Sequence, residues 1–400
     1  MTVAAPKSPS DTFAFSSSVA ADVWHPQKDT KAYEWWYFDA LSDDGKEAVV
    51  IVFLDNFVYS PRYNRSEPPA STSGVAHGAE LRSISKGADA IRPEPFQTFN
   101  NEESVPTAGT GGPDKYPAVS FTYFRDGKPV YRAINEYPGS AFTASETSPE
   151  CTIGDCSFRF QSASYGSGYL VTISAALSRD RRLEASLEWL SIESDFSPQA
   201  FCYKESAHCW NMVAPRSDVS GKISLFDRKG NAAESVNFRG SGYHDHNLDN
   251  RWLAKTVRDW HWGRAHFTDA TAVFYRYCEI GDHNPNTKLF VVQDGELHER
   301  NVEYEEQNYV RDKYGIRYPT RLRLISEDDF RLNVKPLKII DSSFYYLRFL
   351  SEITLTMPGG KQSTTTGITE FLAPKALKHR WLNWISDIRI GKNGKGPFIS

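Results

Sequence analysis

The feature that most constrains this chain is an alternation of apolar and polar side chains with a period of two. Leu183, Ala185, Leu187 and Trp189 alternate with Glu184, Ser186 and Glu188, and Phe330, Leu332 and Val334 alternate with Arg331, Asn333 and Lys335. Tyr169, Val171, Ile173 and Ala175 repeat the pattern, as do Ile353, Leu355 and Met357. Successive side chains of an extended strand point to opposite faces, so each run reads as a strand with one buried and one wet face. Turn formers such as Asp44-Gly45, Asp126-Gly127, Asp294-Gly295 and Pro358-Gly359-Gly360 separate the runs. With 400 residues the chain exceeds one ordinary core. The pattern therefore predicts an all-β protein with two barrel or sandwich domains, over residues 31–250 and 251–400, behind a loose arm rich in Ser, Ala and Pro over residues 1–30. A polar stretch at residues 247–259 marks the junction, and residues 60–115 read as long loops over a barrel mouth. Leu377, Trp381, Trp384, Ile385 and Ile388 recur at helical spacing between Pro374 and Gly391, which predicts a C-terminal helix packed on a barrel wall.

Composition narrows the function. Basic residues number 46 and acidic residues 50, with no basic block, which argues against a nucleic-acid partner and against a polybasic membrane tether. Cys151, Cys156, Cys202, Cys209 and Cys278 are odd in number and contain no CxxC pair. They read as reduced thiols, although Cys151 and Cys156 could close a loop. The chain shows neither the apolar core of a signal peptide nor a run long enough to span a bilayer, so a cytoplasmic protein is expected, drawn to a membrane surface by a greasy substrate. Aromatic residues make up 14% of the chain, which suits large apolar interiors. Oligomeric state is not legible at this level.

Three segments carry candidate chemistry. In Glu34-Trp35-Trp36-Tyr37-Phe38-Asp39, alternation puts Glu34, Trp36 and Phe38 on one face and Trp35, Tyr37 and Asp39 on the other. The segment is either a core strand with Glu34 paired to an arginine, or a stacking wall for a flat ligand with Glu34 as its polar handle. In Gly240-Ser241-Gly242-Tyr243-His244-Asp245-His246-Asn247, two glycines permit close backbone approach before a run of polar side chains. Three readings stand here. One is a metal site completed by His208, His261 or His266; the second is a structural polar network; the third is an acid–base site in a cavity. As an acid, Asp245 would need an apolar pocket to raise its pKa towards neutrality. The third segment, Trp260-His261-Trp262-Gly263-Arg264 with the strand holding Tyr275, Arg276 and Tyr277, is either a second core or a set of aromatic faces and hydroxyls able to shield a cation and polarise a carbonyl.

Together these motifs resemble the carotenoid 1,2-hydratase (hydroxyneurosporene synthase) and AttH-like superfamily. The likeness runs from the Glu-Trp-Trp-Tyr-Phe-Asp strand through His208-x-Trp210-Asn211 and Gly242-Tyr243-His244-Asp245-His246-Asn247 to Trp262-Gly263-Arg264 and Gly367-x-x-Glu370-Phe371. The resemblance implies two lipocalin-like β-domains holding a lipophilic carotenoid, polyene or polyketide, with no cofactor and no metal. It implies hydration of a terminal C=C of an acyclic carotenoid, with a Diels-Alderase-type cyclase or a non-catalytic carrier as alternatives. On this reading Asp245, His244, His246 and Tyr275 are the catalytic candidates, and Glu34, Trp35, Trp36, Tyr37, Asn247, Trp262 and Tyr277 the substrate-binding ones. Two positions depart from the hydratase pattern. Leu248 stands where a Trp is expected, and Tyr277 stands where an Asp proton donor is expected.

Overall fold

The computed structural model describes residues 12–65, 108–112, 114–198, 206–283 and 285–399. Two β-structures account for nearly all of it. The first is a curled sheet of 14 strands. It contains β1 (Phe13–Ser16), β2 (Tyr33–Ser42), β3 (Glu47–Leu54), eight short or medium strands between residues 108 and 193 (β4 to β11), and the long pair β12 (His208–Phe226) and β13 (Ala232–Asp249). The second is a closed barrel of eight antiparallel strands. It runs from β14 (Val257–His266) and β15 (Thr271–Glu279) through five strands between residues 286 and 356 to β21 (Gln362–Leu372), which pairs back onto β14. The chain is thus all-β, as its alternation implies, and lipocalin-like, as the resemblance implies.

Both faces of β2 are buried, because the sheet is covered on each side. Trp36, Phe38, Val49 and Ile51 join Phe158, Tyr169, Leu187 and Trp189 in a core inside the curl. Tyr33, Trp35 and Tyr37 point the other way and pack with Trp260, Trp262, Tyr275 and Tyr277 of the barrel strands β14 and β15. A separate core of Phe274, Leu289, Leu324, Leu332 and Leu355 fills the barrel. The seam between sheet and barrel is therefore lined mainly by aromatic rings from both.

Two expectations need correction. From Thr12 onward the arm is ordered: β1 pairs in parallel with β12, and Ser17, Ser18 and Asp22 are fully buried. Its small polar residues, which by composition suggest a loose tail, instead bond the sheet. Ser17 Oγ donates to the Met212 carbonyl, and Ser18 N–H donates to Asn211. The C-terminal helix is a string of short turns, 3-10 at Pro374–Lys378 and Arg380–Leu382 and α only at Asn383–Asp387, because the backbone turns extended at His379. Trp381 and Trp384 consequently face outward at 71% and 60% exposure. Cys151 and Cys156 are both free, whereas Cys202 and most of the expected loop region lie outside the described residues. No helix among the described residues is long and apolar enough to cross a membrane.

Candidate active site

The site grows from the pairing of β13 with β2. His246 lies opposite Trp36, Asp245 opposite Tyr37 and His244 opposite Phe38. Gly240 and Gly242 make the approach possible. A Cβ at residue 242 would lie 2.6 Å from Trp189 Nε1 and 2.7 Å from the Asp39 carbonyl oxygen. Alternation along β13 then sends its ionisable side chains to two separate places.

One face holds a closed ionic network inside the first core. His246 offers Nε2 to Glu34 at 2.7 Å and Nδ1 to Asp22 at 3.2 Å. His244 Nε2 lies 2.9 Å from Asp22, His25 Nδ1 lies 2.8 Å from Glu34, and Tyr169 donates its hydroxyl to Asp22 at 2.6 Å. Trp36 stacks on His246 and Phe38 on His244, with ring centroids 4.7 and 3.9 Å apart. Burial opposes charge on these groups, yet mutual pairing outweighs it. Against that burial, His244 and His246 hold Asp22 down to about 2, and the two carboxylates lift His246 to about 9. Glu34 is likewise held below its usual range despite burial, by His25 and His246. The donor atoms of His25, Glu34 and His246 lie within 4.8 Å of one another, close enough to surround a metal ion. At 2.7 and 2.8 Å, however, Glu34 already sits at hydrogen-bond distance from both rings. The site with a third ligand from His208, His261 or His266 does not form. His208 bonds Tyr275, His261 bonds Tyr304, and His266 bonds the Pro215 carbonyl.

The opposite face carries Tyr243, Asp245 and Asn247 into the aromatic seam. Trp210 Nε1 and Tyr243 Oη both donate to Asp245 Oδ2 at 2.8 Å, and Asn247 Nδ2 reaches Oδ1 at 2.9 Å. Burial raises the Asp245 pKa to about 7; the Trp210 and Tyr243 hydrogen bonds oppose the rise, and the charges of Glu370 and Asp39 add to it. The indole can only donate, so Oδ2 accepts there, and Oδ1 in turn accepts from the Asn247 amide. Asp245 opens on a small hollow shared with Asn247, Tyr275, Trp262 and Trp260. Trp35, Tyr37, Trp260 and Glu370 also line an adjoining cavity of about 150 Å³, which extends past Tyr346 and Arg348 to Ile385 and Ile390. Glu370 is fixed by Arg348 at 2.7 Å and by the Tyr37 hydroxyl at 3.0 Å. Asp39, also within reach of Tyr37, is locked to Arg264.

Six of the candidates converge on this hollow: Asp245, Tyr275, Trp35, Tyr37, Asn247 and Trp262. Five do not. His244, His246, Glu34 and Trp36 point into the opposite core, since the strand period places them there, and cannot touch Asp245. Tyr277 stacks on His208 at 4.8 Å and gives its hydroxyl to Glu279, away from the hollow. Sequence reasoning missed Trp210, Tyr243 and Glu370, although all three stand inside the motifs already quoted. It also missed Asp22 and His25, which sit in a stretch whose composition gave no signal.

The comparisons with known proteins agree with this architecture. The sequence profile of the family described as carotenoid hydratase CrtC matches residues 196–398, just over half of the chain. Across 386 residues the chain is 24% identical to a hydroxyneurosporene dehydrogenase of Chlorobaculum tepidum, covering 93% of this chain and 91% of that one. Among solved structures, an AttH protein of Nitrosomonas europaea superposes with a TM-score of 0.53 at 14% identity, over 86% of this chain and 92% of the other. The protein CghA superposes with a TM-score of 0.55 at 13% identity, over 88% and 93%. With the profile spanning β12, β13 and the whole barrel, this chain belongs to the carotenoid hydratase CrtC family.

Proposed function

We propose that this enzyme adds water to the terminal trisubstituted C=C of an acyclic carotenoid or a similar long isoprenoid. The observation that carries the reading is Asp245, a buried carboxyl with a pKa near 7 that faces an aromatic hollow. A free aspartate is protonated in about one molecule in a thousand at pH 7, whereas Asp245 is protonated in roughly half. The protonated Asp245 carboxyl gives its proton to the less substituted alkene carbon, and the positive charge develops on the tertiary carbon. The faces of Trp35, Trp260 and Trp262 stabilise that cation. Water then attacks it and returns a proton to the Asp245 carboxylate, so the acid is regenerated and no cofactor is consumed.

Glu370 and Asp245 differ in role because their surroundings differ. Glu370 is ion-paired with Arg348, while Asp245 receives only neutral donors. The Glu370 charge adds to burial in keeping Asp245 protonated. The cavity has room for about five water molecules at ~30 Å³ each. That suits one terminal isoprenoid unit and leaves the rest of a long chain to extend through the mouth. The test is turnover of an acyclic carotenoid in isotopically labelled water. The hydroxylated product should carry solvent oxygen, and Asp245→Asn should abolish its formation while retaining carotenoid binding. A cyclised product without solvent oxygen, or undiminished hydration by the variant, would overturn the reading.

A further inference from the structure

The outer end of the cavity is walled by Ile385, Ser386, Arg389 and Ile390. On the same short segment Trp381 and Trp384 turn outward, with 71% and 60% of their surface exposed. Ile399 is tied to this segment through the backbone: its N–H donates to the Ile388 carbonyl, and Ile388 N–H donates to that of Trp384. Of the eleven large apolar side chains exposed among the described residues, four (Trp381, Trp384, Phe398 and Ile399) fall in this final stretch, while the other seven are spread from Val130 to Leu337. Exposed apolar patches of this kind mark interaction sites, and tryptophan in particular favours the bilayer–water interface.

Charge narrows the partner. Residues 374–399 hold six basic residues and one acid, Asp387, in a chain that is net −4. Asp387 is taken up by Lys392 at 2.6 Å. Lys378 lies close enough to Lys255 and Lys375 that, after burial, these two lysines lower its pKa. The basic residues are spaced by apolar ones, which is why no basic block stands out in the sequence. Aromatic rings flanked by lysines at the surface match the chemistry of an anionic lipid bilayer.

We propose that residues 374–399 form a docking surface for anionic membranes, seating the cavity mouth on the bilayer. This rests on reading the substrate as a long isoprenoid: one end unit enters towards Asp245 while the remainder stays in lipid. The test is co-sedimentation of the full chain with vesicles of phosphatidylcholine alone, or of phosphatidylcholine mixed equally with phosphatidylglycerol. Wild type should bind the mixed vesicles, release at high salt, and ignore the neutral ones. The W381S/W384S and K375E/K378E variants should each lose about tenfold in partitioning with unchanged circular dichroism. W381S/W384S should also turn over detergent-solubilised substrate at the wild-type rate and vesicle-embedded substrate more slowly. Wild type left in the supernatant with both vesicle types would overturn the proposal. So would vesicle binding that survives in both variants, or a dimer that W381S/W384S converts to monomer, which would assign the patch to a second copy of the chain. Vesicle binding without any hydration would sink the proposed reaction and leave the docking surface standing.

Discussion

Replacing Asp245 by Asn separates the demands of chemistry from those of stability. The carboxyl pKa moves from 3.8 to about 7 on folding, chiefly through burial. A shift of that size corresponds to roughly 4 kcal/mol between the two protonation states. Because the folded value is the higher one, the folded chain retains a proton that the unfolded chain releases. The resulting stabilisation is complete below pH 3.8, erodes between 3.8 and about 7, and is gone above that, where the fold must hold a desolvated charge. Asparagine has the shape of the neutral acid and does not ionise. It leaves Trp210 and Tyr243 an oxygen to bond and Asn247 room to flip its amide. Asp245→Asn should therefore match wild type near pH 4 and exceed it by up to roughly 4 kcal/mol near pH 9. Urea unfolding of both proteins across that range, followed by intrinsic fluorescence, reads the difference directly. Titration of every other group cancels in it. A pH-independent gap, or a wild type more stable than the variant in alkali, would refute a buried, high-pKa Asp245.

Three further outcomes follow from the same geometry. Hydration by wild type should depend on a single protonated group of pKa about 7, with kcat/KM falling about tenfold per pH unit above it; an unchanged rate at pH 9 would exclude Asp245 as the acid. Asp22→Asn should destabilise by about 3 to 5 kcal/mol in denaturant unfolding, because it leaves His246 short of a buried partner. It should also flatten the loss of stability that wild type shows between pH 6.5 and about 9, the window in which a histidine with a raised pKa gives up its contribution. Gly242→Ala should lower the thermal midpoint by several degrees, since the new methyl meets Trp189 Nε1 at 2.6 Å and backbone oxygen at 2.7 Å; an unchanged midpoint would show that the sheet yields there.

The fold was legible because alternation is a local signal. Leu183 to Trp189 and Phe330 to Val334 declare their buried faces without reference to anything distant. The same rule separates His244 and His246 from Asp245, and applying it strictly would have removed the two histidines from the catalytic candidates. Partners that come from far along the chain were not legible. Asp22 meets His244 across 222 positions, and Tyr37 meets Glu370 across 333. No periodicity records such pairings, and a Ser/Ala-rich stretch hides a buried aspartate well. The C-terminal turns failed for a different reason. Helical spacing of Leu377, Trp381 and Ile385 is compatible with a continuous helix, but nothing in that spacing reveals the extended backbone at His379.

One strand doing two electrostatic tasks explains why the site tolerates an acid of such high pKa. On the inner face of β13, each charge meets its opposite, so desolvation is compensated and the strand is pinned to β2 and to the arm at Asp22 and Glu34. On the outer face, Asp245 meets neutral donors and the distant negative charges of Glu370 and Asp39, so desolvation is left uncompensated. Such strain at one residue persists only if its neighbours hold the backbone in place. A carboxyl that could swing to solvent would simply ionise there. The buried ion pairs thus act as the anchor that forces Asp245 to keep its proton. Weakening them should lower the Asp245 pKa towards 3.8 before it unfolds the sheet, which an Asp22→Asn variant would show as an acid-shifted pH–rate profile.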